Sequence, residues 1–301
     1  MPAPGPIAVI LNAGAGIAKA RPEISRELTE LFRGVGLEAE IVMVQAGQDP
    51  VQAARDVAAR ASIVVAAGGD GTIGSVAAGI LGSPATLGIL ALGSRNHFAK
   101  DLHIPLDEGD AVASIAAGRT INVDVGLVND RAFINNSSIG IYASMVETRE
   151  ELREQGHRKW PAMLIATWQM FRSYPGMTVT IEAGGEVRTW RTPFVFVGNN
   201  AYTLDGLKVG GRDRIDEGKL YAYVTPTLRS RDLPGLVFKS LLGRTERSGE
   251  VQVVSGCELT IRTKSRRLHV AVDGEIERMT QPLRYRARPG ALRVIVPARS
   301  A

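Results

Sequence analysis

Five residues without a polar break, Ile63-Val64-Val65-Ala66-Ala67, run straight into Gly68-Gly69-Asp70-Gly71-Thr72, and this join narrows the choice of fold more than any other stretch. A strand that is apolar on both faces has to be covered on both, which a sheet with one wet face does not offer. Neighbouring segments repeat the theme. Ile7–Asn12, Glu38–Val44 and Thr86–Leu92 read as strands; Pro22–Gly34, Asp49–Ala61 and Thr72–Leu81 read as helices. Short apolar strands alternating with helices predict an α/β domain over residues 1–124, an open, mostly parallel sheet with helices on both faces. Such sheets bind ligands where loops leave the carboxyl ends of their strands.

After Asp124 the texture changes. Helical spacing persists in Ile141–Gln155, Pro161–Tyr174 and Leu233–Leu242. The rest offers short strands separated by turn residues: Thr178–Glu182, Arg188–Val197, Leu220–Thr225, Val251–Val254, Glu258–Thr263, Leu268–Val272, Leu283–Ala287 and Leu292–Val296. That pattern predicts an antiparallel β-sandwich with a few helices over residues 125–301. Charge divides at the same place, with a balance of −4 over residues 1–125 and +9 over residues 126–301. A basic second half suits an anionic partner such as lipid headgroups or a phosphorylated substrate; the scattered basic residues carry no nucleic-acid recognition motif. The single cysteine, Cys257, excludes an intrachain disulfide and a cysteine-based metal site, which fits a reducing, cytoplasmic setting. No apolar run approaches the ~18–20 residues that span a bilayer, and the amino terminus carries no basic segment of a signal peptide.

Glycines in Gly68–Thr72 let backbone N–H groups approach a phosphate, and the helix start behind them adds partial positive charge. Asp70 in their midst would repel a polyphosphate unless a divalent cation lies between them or the acid handles a proton. The loop therefore points to nucleotide phosphate with Mg²⁺. The same letters match the dinucleotide fingerprint G-x-G-x-x-G, but no Asp or Glu follows Asp70 before Asp101, where a ribose-binding acid would stand. A glycine-rich turn with a capping Asp or Thr is the plain structural alternative.

Gly68–Thr72 resembles the signature loop of the diacylglycerol kinase catalytic domain, shared with sphingosine kinases and, more distantly, with NAD kinases. Asn12-Ala13-Gly14-Ala15-Gly16 is similar to that family's first loop, and Leu92 through Pro105 to its second nucleotide loop. Asp273-Gly274-Glu275 resembles its late acidic motif, and Asn136–Gly140 and the stretch from Gly198-Asn199-Asn200 through Asp216–Leu220 stand in the matching order. Ser94, Arg95 and His97 depart from the usual residues of the second loop, Ser94 keeping the hydroxyl of a threonine.

The resemblance implies a lipid kinase that moves the γ-phosphoryl group of ATP, with Mg²⁺, to a lipid hydroxyl in a cleft between two domains. It implies that Asn12, Gly68, Gly69, Gly71, Thr72, Ser94 and Asn96 line the nucleotide. Asp273 would take the hydroxyl proton, with Asp70 as the rival base and Glu275 as a contact to metal or nucleotide. Asp70, Asp124 and Asp216 would belong to a metal–water network. Were Asp273 and Glu275 on one strand, they would project to one face. A lipid acceptor implies peripheral association with an anionic membrane surface. Trp160–Tyr174 offers an aromatic, Met-rich stretch for that contact, or else a helix packed in the core. A homodimer is left open. The other readings are a kinase of a soluble acceptor, as in NAD kinases, and a non-catalytic lipid-binding pseudokinase.

Overall fold

A computed structural model describes residues 5–12, 21–45, 47–140, 176–205, 208–225 and 251–298. The helices expected at 141–155, 161–174 and 233–242 lie outside the described residues. The chain forms two compact units, the first of Met1–Val125, Asp213–Glu217 and Arg288–Ala301, the second of Gly126–Arg212 and Gly218–Ala287. Two stretches of the sequence half assigned to the sandwich, 213–217 and 288–301, thus belong to the first unit.

The first unit runs β1 (Ile7–Asn12), α1 (Ile24–Gly34), β2 (Ala39–Val44), α2 (Pro50–Ala58), β3 (Ile63–Gly68), α3 (Asp70–Ile80), β4 (Thr86–Ala91), α4 (His97–Asp101) and α5 (Glu108–Ala117). Its strands pair in parallel in the order β2–β1–β3–β4. Ile7, Val9 and Leu11 of β1 pack with Ile24, Leu28 and Phe32 of α1 and with Ala111, Val112 and Ile115 of α5. The alternate residues Ala8 and Ile10 are equally buried and point to the opposite face, where α2 and α3 lie. That two-sided cover explains why Ile7–Leu11 of β1 and all of β3 carry no polar residue. Asp49 caps α2 by accepting the Val51 N–H at 2.9 Å, as its place before Pro50 foretells.

β5 (Thr120–Val128) leads from the first unit into the second and turns back as β6 (Arg131–Phe133). Then come β7 (Asn136–Gly140), β8 (Met177–Ala183), β9 (Glu186–Thr192), β10 (Phe194–Asn199), the short β11 (Leu204–Asp205) and β12 (Lys208–Val209), and β13 (Leu220–Val224). β14 (Gln252–Gly256), β15 (Glu258–Thr263), β16 (Arg267–Val272), β17 (Glu275–Thr280) and β18 (Leu283–Ile295) complete the described strands. One antiparallel sheet has the order β14–β13–β10–β7–β16–β17. In the other, β9–β8–β15 continues onto the first half of β18, with Leu259 opposite Tyr285. Ile139, Val197, Leu220 and Val270 from the first sheet meet Val179, Ile181, Ile261, Leu283 and Tyr285 from the second in one buried core. This is the antiparallel β-sandwich.

Two sequence-derived boundaries need correction. Arg188–Val197 is not one strand: Pro193 has no N–H for the ladder, and the chain changes sheet there, β9 pairing with β8 and β10 with β7 and β13. The buried Thr192 hydroxyl holds that corner, 2.7 Å from the carbonyls of Phe194 and Thr225. Conversely, Leu283–Ala287 and Leu292–Val296 are parts of one strand that continues through Pro289-Gly290; its far end lies parallel to β4, Val294 opposite Leu87.

Candidate functional site

In the first unit, the carboxyl ends of β1, β3 and β4 lie side by side. Leu11 is opposite Ala67, bringing Asn12 to the Gly68 end, and Gly68 is opposite Ala91. The two following loops are pressed together. A Cβ on Gly93 would lie 2.5 Å from the Gly69 Cα and 2.7 Å from Asn96 Oδ1, and the Leu92 N–H donates to Gly68 O at 3.0 Å. A Cβ on Gly68 would meet the Thr72 hydroxyl at 2.5 Å, so the glycine lets buried Thr72 tuck beneath the loop. α3 begins at Asp70 with Gly69 as its N-cap, and Gly69 has no side chain to satisfy the first-turn amides. A concave run of amides at a helix start suits an anion.

Asp70 is half-buried, and its carboxylate accepts the Phe98 N–H at 3.3 Å. It therefore ties the β3–α3 loop to the start of α4, a role the sequence did not disclose. Asn96 has left-handed backbone (φ 53°), and its NH2 donates to the carbonyls of Ala91 at 3.2 Å and Gly93 at 2.8 Å. Its buried Oδ1 has no hydrogen-bond partner among the described residues. The Asn96 amide nitrogen thus shapes the second loop. Ser94, Arg95 and His97 are exposed.

Asp124 is buried, with Oδ1 accepting the Gly290 N–H at 2.8 Å and its own N–H donating to Ile215 O at 2.9 Å. Asp216 is exposed and bonded to Arg214 Nε at 3.1 Å. The Arg214 guanidinium is held in its charged form by Asp216 first, and more weakly by Glu217 and Asp124. Among the described residues, no three or more His, Cys, Asp or Glu side chains gather into a group that could hold a metal.

In the second unit, Asp273 and Gly274 both have positive φ (48° and 91°) and form the two-residue turn joining β16 to β17, with Val272 opposite Glu275. Asp-Gly is the preferred pair for such a tight hairpin. Asp273 and Glu275 therefore do not share a face of one strand. The Asp273 carboxylate turns inward: Oδ2 accepts the Ile134 N–H at 2.8 Å, and Oδ1 accepts those of Asn135 at 2.9 Å and Asn136 at 3.0 Å. Burial pushes this carboxyl up to about 6, against the opposing pull of the three amides and of Arg212. Glu275 is exposed and bonded to Arg131 at 2.8 Å; Arg131 also pairs with Glu277.

Two residues absent from the sequence reading complete this arrangement. Arg212 is 5% exposed and donates to Ile134 O at 2.7 Å, Asn199 O at 3.0 Å and Asn135 Oδ1 at 2.9 Å. Asn135 is buried beside it. The only signal for Asn135 was the pair of asparagine doublets, 135–136 and 199–200, at strand ends, and nothing in the sequence singles out Arg212.

Comparison with known proteins identifies both units. The family model of the diacylglycerol kinase catalytic domain matches residues 6–128, and that of the YegS C-terminal NAD kinase beta sandwich-like domain matches residues 138–296. A diacylglycerol kinase of Staphylococcus saprophyticus is 38% identical over 96 residues, 31% of this chain and 32% of that protein. A probable YegS-like lipid kinase of Klebsiella pneumoniae is 32% identical over 154 residues, 49% of this chain and 50% of that protein. The matches thus span between a third and a half of those relatives' length. A solved diacylglycerol kinase structure from Bacillus anthracis superimposes with a TM-score of 0.70 at 19% identity, covering 98% of each chain, and so shares the fold. The chain belongs to the diacylglycerol kinase-like, YegS-like lipid kinase family.

Proposed function

We propose that this protein is an ATP-dependent lipid kinase, with diacylglycerol or a related lipid as the acceptor. The observation that carries the reading is the glycine cradle formed by Gly68, Gly69 and Gly93 where β3 and β4 end, so tight that a Cβ at Gly68 or Gly93 would collide. Side-chain-free backbone at the start of an 11-residue helix fits a phosphate. Gly69, Gly71 and Thr72 donate to the ATP phosphates, and Asn12 and Ser94 border the nucleotide; Asn96 holds the second loop in shape. Mg²⁺ arrives with ATP as part of the substrate.

The acceptor hydroxyl attacks the γ-phosphorus, the bond to the ADP oxygen breaks, and the hydroxyl proton passes to a carboxylate. Asp273 is our choice for that base. Three of its four lone-pair directions are taken by amides, which leaves one on Oδ2. A carboxyl near 6 is charged at neutral pH yet holds a proton better than an ordinary aspartate. Asp70 supports the loop and its neighbour helix. The lipid is met at an anionic membrane surface; among the described residues no helix is long and apolar enough to cross a membrane.

The test is transfer of radiolabelled phosphate from ATP over a panel of diacylglycerol, monoacylglycerol, sphingoid base, ceramide and phosphatidylglycerol, with NAD as the soluble acceptor. Labelled lipid is expected, lost to background in Asp273→Ala with folding checked by circular dichroism. Label on NAD alone, or undiminished transfer by both Asp273→Ala and Asp70→Asn, would overturn the assignment.

A further inference from the structure

We infer that Arg212 is a positioning residue for phosphoryl transfer: its buried guanidinium fixes the Ile134–Asn136 segment whose amides seat Asp273. This rests on the reading of Asp273 as the base. Every backbone polar group of the segment is spoken for. Its three N–H groups go to the Asp273 carboxylate. Asn135 O accepts the Asn199 N–H at 2.9 Å, and Asn136 O accepts the Asp273 N–H at 2.9 Å. Ile134 O accepts from Asn199 Nδ2 at 3.0 Å and from Arg212 at 2.7 Å. Arg212 reaches both the backbone of this segment and, through Asn135 Oδ1, a side chain of it, while also holding Asn199 O.

The chemistry demands arginine. Three acceptors on two separate chain segments lie around one planar group, and a guanidinium offers five N–H donors in a fixed fork. The Tyr202 ring backs it at 5.3 Å from Cζ, which holds the plane and tolerates the charge. A lysine in the same place keeps the charge but presents one nitrogen, which cannot span these oxygens. The positive charge also favours the ionised form of Asp273. A base that must meet a hydroxyl within hydrogen-bond reach loses much of its effect when its seat shifts by a fraction of an ångström.

The test compares Arg212→Lys, Arg212→Met and Asn135→Ala in the full-length protein, using diacylglycerol in mixed micelles. For both Arg212 variants, kcat is expected to fall about 10–100-fold with the KM for ATP within about twofold of wild type. The lysine variant should do no better than the methionine variant. Asn135→Ala, which removes one of the three contacts, should fall in the same direction by less. Hydrogen exchange at the amides of Ile134, Asn135 and Asn136 should quicken at least tenfold while that of β15 stays slow. Restoration of kcat by lysine would mean that charge alone matters, and unchanged kcat in Arg212→Met would remove the role outright; either result overturns the inference. A rise in KM for ATP parallel to the fall in kcat would also do so, because it would place the damage in nucleotide binding, while general unfolding would show as fast exchange in β15. If Asp273→Ala keeps full transfer, the base assignment fails, and exchange at the three amides still decides whether Arg212 holds the segment.

Discussion

Asp273→Asn removes a charge and turns one acceptor atom into a donor. The variant's side-chain oxygen can keep the N–H groups of Asn135 and Asn136, but its NH2 then faces the Ile134 N–H, which now lies 2.8 Å from Oδ2. Stranding that buried amide costs ~1–3 kcal/mol. On the other side stands the burial of the native charge, which raises the carboxyl to about 6. A rise of about two pH units is worth ~3 kcal/mol between the two protonation states. The sign follows from proton counting. Between about pH 4 and about pH 6 the folded protein binds a proton that the unfolded chain has released, so stability falls as pH rises through that window. The cost is complete above about pH 6 and absent below about pH 4; the asparagine variant does not titrate. Urea unfolding at several pH values should therefore show the stability of the wild type relative to the variant rising by ~2–3 kcal/mol on going from about pH 7 to about pH 4. A difference that stays constant, or shifts in the variant's favour on acidification, refutes the reasoning, because it would mean that three amides outweigh desolvation.

Further perturbations probe the first unit and the acidic turn. Gly93→Ala forces a methyl to 2.5 Å from the Gly69 Cα, so the two loops must part; thermal melting should show a loss of ~1–3 kcal/mol, with weaker ATP binding by calorimetry. Asp70→Asn keeps an oxygen for the Phe98 N–H, whereas Asp70→Ala does not and should lose ~1 kcal/mol more in denaturant unfolding. Asn96→Ala breaks a buried bond to Ala91 and a half-buried one to Gly93 and should cost ~1–3 kcal/mol while raising the KM for ATP. Glu275→Gln disturbs an exposed pair with Arg131 and should change stability by less than ~1 kcal/mol, an effect that added salt diminishes.

The parts legible in the sequence are those written in side chains. β1, β3 and β4 are continuous apolar runs because both of their faces are covered, and their ends match the expected ones to within a residue. The glycine loop was legible because only glycine allows that approach. β17 was missed: Glu275, Glu277 and Arg278 in a six-residue edge strand read as turn and surface. The seat of Asp273 was hidden for a deeper reason. Its ligands are backbone amides 137 to 139 positions away, and an N–H carries no letter. Arg212 stands in a run of charged residues, Arg212-Asp213-Arg214 and Asp216-Glu217, that reads as a solvated loop; tertiary contacts alone bury it.

The return of residues 288–301 to the first unit bears on how the chain is made. Synthesis delivers β1 through α5 early, yet β4 keeps an open edge, and Asp124 lacks the Gly290 N–H, until the far half of β18 has left the ribosome. The nascent first unit must therefore wait, with an unpaired parallel strand exposed, for Gly290 and Val294 to be added. A translational stall before Arg288 is the moment at which this polypeptide is most prone to stick to its neighbours.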